Sequence, residues 1–324
     1  MKTPQRIVSL ISSATEILYL LGAGDRVVGV SHECDFPSEA AGKPRLTHSL
    51  VESAAASRAI DEQVRELATT QSALYVIDVE QLDRLAPDLI ITQAQCDVCA
   101  VRYEDVVSAV RDTPSLAHTQ ILALNPHSIG DVFDDIERVG NAIGDEINAA
   151  LVKSTLTARV LRAQIKSAEL PRSMIPRTAC LEWIDPPMLA ANWMPALIQM
   201  AGGEPGLTAG GSHSTYAHWE RIVHYDPQVI VIMPCGFDLE RAIVEAQVLP
   251  GVPGWRQLSA VREHRVFAAD GNAYFNRSGP RLVDSIEILA HLFHPDLFPP
   301  PREEPQRAWR RLETRADTLV PVNP

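Results

Sequence analysis

The sequence predicts an α/β fold: two lobes with mainly parallel sheets, joined by one long α-helix. Three observations carry the prediction. Apolar runs of strand length alternate with helical patterns, and that alternation implies parallel pairing through helical crossovers. One helical pattern persists from Ser128 to Lys166, near the middle of the chain, with strand–helix alternation on both sides. The length of 324 residues suits about two domains of ordinary size.

In the first lobe, Ile7–Ile11 is an apolar run, and Ser12-Ser13-Ala14-Thr15-Glu16 is a polar turn opening a helix that ends at Gly22 and Gly24. Val27–Ser31 is a second strand and leads into the loop His32-Glu33-Cys34-Asp35-Phe36-Pro37. After a polar connection come the strand Leu74–Ile77, a helix Val79–Ala86 and the strand Asp88–Thr92. Gln93–Cys99 is the next strand-exit loop, followed by a helix from Tyr103 to Arg111 and the strand Ile121–Leu124.

The central helix has Ser128 as N-cap, aspartates at 131, 134 and 135 in its first turns, and Arg159, Arg162 and Lys166 near its end. Unbroken, it would span about 55 Å, more than one compact domain needs. Gly140 and Gly144 mark where two ordinary helices would part instead. Beyond it, Thr178–Trp183, Val229–Met233 and Arg265–Ala269 are strands, and Trp193–Ala201, Trp219–Tyr225 and Pro280–Phe293 are helices. Proline-rich, charged residues follow from His294, an extended or loosely packed tail. The expected division is an N-terminal lobe at 1–127, the connecting helix at 128–170, a C-terminal lobe at 171–295 and the tail at 296–324. A cleft between two such lobes is where a small ligand is expected.

Apolar residues make up 46% of the chain and charged residues 22%, a globular composition. The net charge of −12 argues against nucleic acid or an anionic membrane as the main partner, and no apolar run reaches the length of a membrane span. The first residues pass straight into a strand without the apolar core of a secretory signal, so the chain as written is expected in the cytoplasm, or in the periplasm if a leader precedes it. Five cysteines do not suggest a disulfide framework, and Cys180 is expected to be a small core residue. We expect a monomer.

The residues carry a family resemblance. Arg6-Ile7-Val8-Ser9-Leu10 followed by Ser13-Ala14-Thr15-Glu16 resembles the start of the helical-backbone substrate-binding proteins of metal-chelate ABC importers. Val27-Val28-Gly29-Val30-Ser31, Asp35-Phe36-Pro37, Val79-Glu80-Gln81-Leu82, Ala86-Pro87-Asp88-Leu89-Ile90-Ile91, Ala201-Gly202-Gly203 and Trp219-Glu220 fit the same family in order and spacing. The resemblance implies two Rossmann-like lobes of the periplasmic-binding-protein type and non-catalytic binding of a metal chelate, delivered to a permease and ATPase. The segment Phe275-Asn276-Arg277-Ser278-Gly279-Pro280-Arg281 is similar to the cobalamin binders, which gives Arg277 a ligand-contact role and places Trp193 near a family aromatic. Glu104 and Glu220 look like the two glutamates, one per lobe, that dock on the permease. Where the cobalamin binders carry pocket aromatics, this chain has Glu33, Gln93 and Ser214, so its pocket is expected to be more polar. The His32–Asp35 and Cys96–Cys99 loops resemble a cobalamin-binding subgroup without an evident export signal.

A corrinoid is a large, amide-fringed ring with cobalt at its centre. It calls for aromatic contact on its faces and hydrogen-bond donors around its edge. Trp183, Trp193, Tyr216, Phe237, Tyr274 and Phe275 supply candidate contact area, or pack in the core. Ser13, His32, Glu33, Gln93 and Ser214 complete the candidate ligand set. His32, Cys34, Cys96 and Cys99 lie at exits of one sheet and form a candidate site for zinc or another transition metal, or an axial ligand to cobalt; the alternative is that they line a polar loop. Three readings stay open: a corrinoid binder, the same scaffold binding an iron-siderophore or haem, and a cytosolic metal-binding or redox protein using the His/Cys cluster. No nucleophile elbow, phosphate loop or His-Glu-x-x-His supports an enzyme.

Overall fold

The computed structural model describes residues 3–70, 73–94, 100–301 and 305–322. The chain forms two compact units. Unit 1 comprises Met1–Ala55, Ala59–Leu156 and Ser278–Pro280; unit 2 comprises Ala56–Arg58, Thr157–Arg277 and Arg281–Pro324.

Unit 1 runs β1 (Ile7–Ser9), α1 (Ser12–Leu20), β2 (Val27–Val30), β3 (Thr47–Ser49), α2 (Ser57–Thr70, whose first turn belongs to unit 2), β4 (Tyr75–Ile77), α3 (Val79–Leu85), β5 (Leu89–Gln93), α4 (Tyr103–Arg111), β6 (Gln120–Leu124) and α5 (Ile129–Ile143). The four-stranded sheet has the order β2-β1-β5-β6 and is parallel throughout. β1 and β5 are buried along their whole length, as strands covered on both faces must be. The chain leaves β1 toward β2 on one side and reaches β5 on the other. The switch point, where ligands of open α/β sheets bind, therefore lies at the C-terminal ends of β1 and β5. The polar connection after Pro37 contains elements that its composition does not suggest, α2 and β3; β3 pairs antiparallel with β4, the strand expected at Leu74–Ile77.

The fold class holds, with a change in the long helix. Ser128 caps α5 as expected, its hydroxyl accepting from the Asp131 N–H while the Asp131 carboxylate accepts from the Ser128 N–H. The pattern from Ser128 to Lys166 is nevertheless two helices, α5 and α6 (Glu146–Ala168), and not one. Gly144 ends α5 in the left-handed region at φ 73°, where glycine carries no steric cost. α6 then packs back on α5: a Cβ on Gly140 would meet Ala149, and Lys153 pairs with Asp134 at 2.9 Å and Glu137 at 2.8 Å. α6, 23 residues and about 35 Å long, contains the boundary at which the chain passes from Leu156 of unit 1 to Thr157 of unit 2.

Unit 2 continues with β7 (Thr178–Trp183), β8 (Met188–Leu189), α7 (Met194–Met200), β9 (Thr215–Tyr216), α8 (Trp219–Tyr225), β10 (Val229–Ile232), α9 (Leu239–Glu245), α10 (Ser259–Arg262), β11 (Val266–Ala269), α11 (Leu282–Phe293), α12 (Pro305–Ala308), β12 (Trp309–Arg315) and β13 (Thr318–Val322). Its sheet has the order β13-β12-β11-β10-β7-β8-β9; β11, β10 and β7 are parallel and the flanking strands antiparallel. The end of the chain thus differs from the loose tail expected after Pro295. Trp309, Leu312 and Leu319 are buried, and the two leucines join the core formed by Ile230, Ile232, Trp255 and Val266. Burying these three side chains stabilises the strands on the order of 2 kcal/mol each. Among the described residues no helix is long and apolar enough to cross a membrane.

Candidate functional site

At the strand-exit edge of unit 1 small polar side chains are buried together. Ser9, Ser13, Thr15, Ser31, Thr92 and Gln93 are all buried. Ser13 opens α1, which has no side-chain N-cap, and its hydroxyl, like that of Thr92, has no hydrogen-bond partner among the described residues. Gln93 ends β5 and turns inward, its Nε2 donating to the Val101 carbonyl at 3.2 Å. His32, just past β2, is held by Thr47: the His32 N–H donates to the Thr47 hydroxyl at 3.0 Å, and Nδ1 lies 2.7 Å from the same oxygen. Burial, then the charges of His48 and Arg45, lowers the His32 pKa, so the neutral ring is favoured. Glu33 is half-exposed, its Oε1 4.0 Å from His32 Nε2.

Cys34 does not join His32 at the surface. It is fully buried, with Sγ 3.0 Å from the Thr15 hydroxyl and 3.2 Å from that of Ser31. That packing makes Cys34 a core thiol and not an open metal ligand. Among the described residues no group of three or more His, Cys, Asp or Glu is arranged to hold a metal ion. Cys96 and Cys99 lie outside the described residues. Cys180 is buried as expected, and burial pushes its thiol pKa up.

The strand-exit edge of unit 2 is built differently, from rings and charges. Trp183 ends β7, and Phe237 follows β10 on the neighbouring strand; their rings pack 5.1 Å apart. The Arg241 guanidinium sits 3.8 Å above the Phe237 ring, and Trp183 Nε1 donates to the Ser57 carbonyl at 3.2 Å. Past β11 the chain makes a π-helical turn, Gly271–Phe275, a rare local geometry. Asp270 caps the turn by accepting from the Ala273 N–H at 2.7 Å. Gly271 is needed there, because a Cβ would lie 2.3 Å from the Pro234 carbonyl. The turn presents Tyr274, half-buried under the Arg281 guanidinium at 5.6 Å, and leads to Arg277. Arg277 is buried and donates to Asn272 Oδ1 at 2.9 Å. Burial pushes the Asp270 pKa up to about 6 against the pull of the Ala273 N–H; Asp238 adds to the rise, and Arg281 and Arg277 oppose it.

Trp183, Tyr274 and Arg277 therefore gather at the ends of β7 and β11, with Phe237 after β10 buried against Trp183. Two expected contacts do not stand with them. Phe275 has no exposed surface, and Trp193 is buried with its indole N–H donating to the Phe275 carbonyl at 2.9 Å. Both pack the core beneath the turn, since an aromatic near a strand exit still has an inner face to fill. Ser214 accepts from the Ala191 N–H at 3.0 Å and donates to Glu182 at 2.6 Å, and Tyr216 is exposed on β9. Glu104 and Glu220 are exposed in the first turns of α4 and α8, one per unit. Sequence reasoning missed Asp270, Asn272, Arg241 and Glu182; the Asp-Gly directly after an apolar strand was the available signal for the first. A shallow concavity of about 350 Å³ beside α7, lined by Gln199, Glu204, Gly206 and Thr208 among others, contains none of the candidate residues.

Comparisons with known proteins extend this picture. The family described as "Periplasmic binding protein" matches residues 7–273. The chain is 25% identical over 300 residues to the uncharacterized ABC transporter substrate-binding lipoprotein YvrC of Bacillus subtilis, covering 92% of this chain and 82% of that one. It is 24% identical over 292 residues to the vitamin B12-binding protein of Vibrio cholerae, covering 87% of each. Among solved structures, a periplasmic heme binding protein from Pseudomonas aeruginosa matches with a TM-score of 0.69 at 18% identity, over 91% of this chain and 94% of that one. At that identity the likeness concerns the fold.

Proposed function

The chain belongs to the periplasmic binding protein family, and on that premise we propose that it is the substrate-binding component of an ABC-type importer whose cargo is a corrinoid. The cargo is held and released unchanged. The observation that carries the corrinoid reading is the grouping of Trp183, Tyr274 and Arg277 at the ends of β7 and β11 in unit 2. Half-buried rings offer flat apolar contact to a corrin face, and an arginine fixed by Asn272 offers donors to the amide fringe or nucleotide phosphate. Similarity over 87% of the length to a vitamin B12-binding protein supports the same reading. Ser13, His32, Glu33 and Gln93 are the candidate polar contacts at the edge of unit 1, and Ser214 and Tyr216 those at the edge of unit 2. Neutral His32 is a candidate axial ligand to cobalt. Glu104 and Glu220 dock on the permease, and in that role the protein works on the outer side of the inner membrane.

Calorimetric titration of the purified protein with cyanocobalamin, aquocobalamin and haem tests the reading. We expect micromolar or tighter binding of a cobalamin at one per chain, and a visible-spectrum shift with aquocobalamin alone if His32 reaches cobalt. Heat with haem and none with either cobalamin would transfer the scaffold to the haem reading.

A further inference from the structure

The long helix α6 has an outer face that neither unit uses. Ala149, Leu156, Val160 and Ala163 are buried on one side. On the opposite side Ile147, Leu151, Leu161 and Ile165 are 87%, 65%, 47% and 62% exposed. At 3.6 residues per turn these four, with Ser154 and Ala158 between them, fall within an arc of about 80° and form a straight stripe about 27 Å long. A helix with apolar residues on opposite faces is expected to be covered on both.

We propose that this stripe is a homodimer interface, in which α6 of one chain packs antiparallel on α6 of a second copy. The spacing of the stripe selects that partner. Ile147 and Ile165 each stand nine residues from Leu156, Leu151 and Leu161 each five, and Ser154 and Ala158 each two. A two-fold axis at Leu156 therefore sets isoleucine against isoleucine, leucine against leucine, and small residues against each other at the centre, where the helices come closest. Such self-complementarity is what an isologous interface requires.

The charges agree with it. The same axis brings Lys153 toward Arg159 of the second copy, a like-charge meeting that would oppose pairing. Each is already neutralised within its own chain, Lys153 by Asp134 and Glu137, Arg159 by Asp284 and Glu287. Uncharged Asn148, Ala150, Thr155, Thr157 and Gln164 border the stripe, and the cation nearest it, Arg162, is set against Ala150 of the second copy and not against another charge. The area is also sufficient for a modest dimer. At roughly 100 Å² of apolar surface each, eight large side chains withdraw on the order of 800 Å² before the border is counted, near the roughly 1,000 Å² of a specific interface.

Sedimentation velocity over about 1–100 μM protein, a range that spans affinities of a modest interface, tests the proposal. The unmodified chain is expected to move with concentration toward a species of twice 35.6 kDa. Ile147→Glu sets a carboxylate against Ile165 of the partner and is expected to weaken association at least about tenfold. The double variant Ile147→Glu/Ile165→Lys restores it, because each new glutamate then faces a new lysine across the axis. Both positions are exposed, and circular dichroism verifies that each variant is folded. A wild-type chain that stays at 35.6 kDa at every concentration overturns the proposal, as does a double variant no more associated than the single one.

Discussion

The two strand-exit edges hold the same place in their sheets and differ in chemistry. Both gather loops at the C-terminal ends of parallel strands. Unit 1 fills its edge with buried serines, threonines and Gln93, most of them committed to one another or to nearby backbone. Unit 2 fills its edge with Trp183 packed on buried Phe237 and with Tyr274, sets Arg241 over Phe237 and Arg281 over Tyr274, and ties Arg277 to the π-turn after β11. Partly exposed rings and fixed cations give large contact energies, whereas satisfied hydroxyls give orientation at little net gain. The difference teaches that the edge of unit 2 is the one equipped to supply affinity, whereas most of the polar groups at the edge of unit 1 are already engaged.

Substitutions can break that asymmetry. The largest effect is expected from Arg277→Ala, a loss of about 30- to 100-fold in cyanocobalamin affinity by calorimetry. Trp183→Ala follows at about tenfold. Asp135 in unit 1 and Asp270 in unit 2 are a matched pair, both pushed up to about 6, chiefly by burial. A carboxyl whose folded pKa is raised holds its proton better when folded, so between about pH 4 and 6 stability falls as pH rises. Asp135→Asn and Asp270→Asn should each raise stability at pH 7 by about 1–2 kcal/mol in urea unfolding and flatten that slope. Only Asp270→Asn should also alter affinity, because Asp270 caps the turn that leads to Arg277. Gln93→Ala is expected to cost cobalamin affinity about threefold or less; a loss equal to that of Arg277→Ala would remove the distinction between the edges. Smallest of all, Glu104→Ala and Glu220→Ala should leave affinity unchanged and stability within about 0.5 kcal/mol, acting only on permease docking.

The fold was largely readable. Strand–helix alternation located β1, β2, β5, β6, β7, β10 and β11, and Ser128 announced its capping box. The central helix was overextended because the apolar pattern of α5 runs on into α6, while one left-handed glycine and the Gly140–Ala149 contact turn the chain. β12 was hidden because arginines and a glutamate surround Trp309 and Leu312, so its alternation reads as charge. β3 is three residues long and only partly buried, too short for a period to register, whereas its partner β4 was legible from the apolar Leu74–Ile77. At the site, strand exits identified which residues gather but not which way they face. Cys34 and Phe275 point into cores, and the partners Asn272, Glu182 and Thr47 come from contacts that no local pattern encodes.

Hydrogen–deuterium exchange with and without saturating cyanocobalamin addresses the central claim most directly. The account predicts slowed exchange over residues 271–277 and 183–187 of unit 2, with weaker protection at 31–34 of unit 1. Protection confined to residues 195–210, around the concavity beside α7, or none at either strand-exit edge despite measured binding, would contradict it.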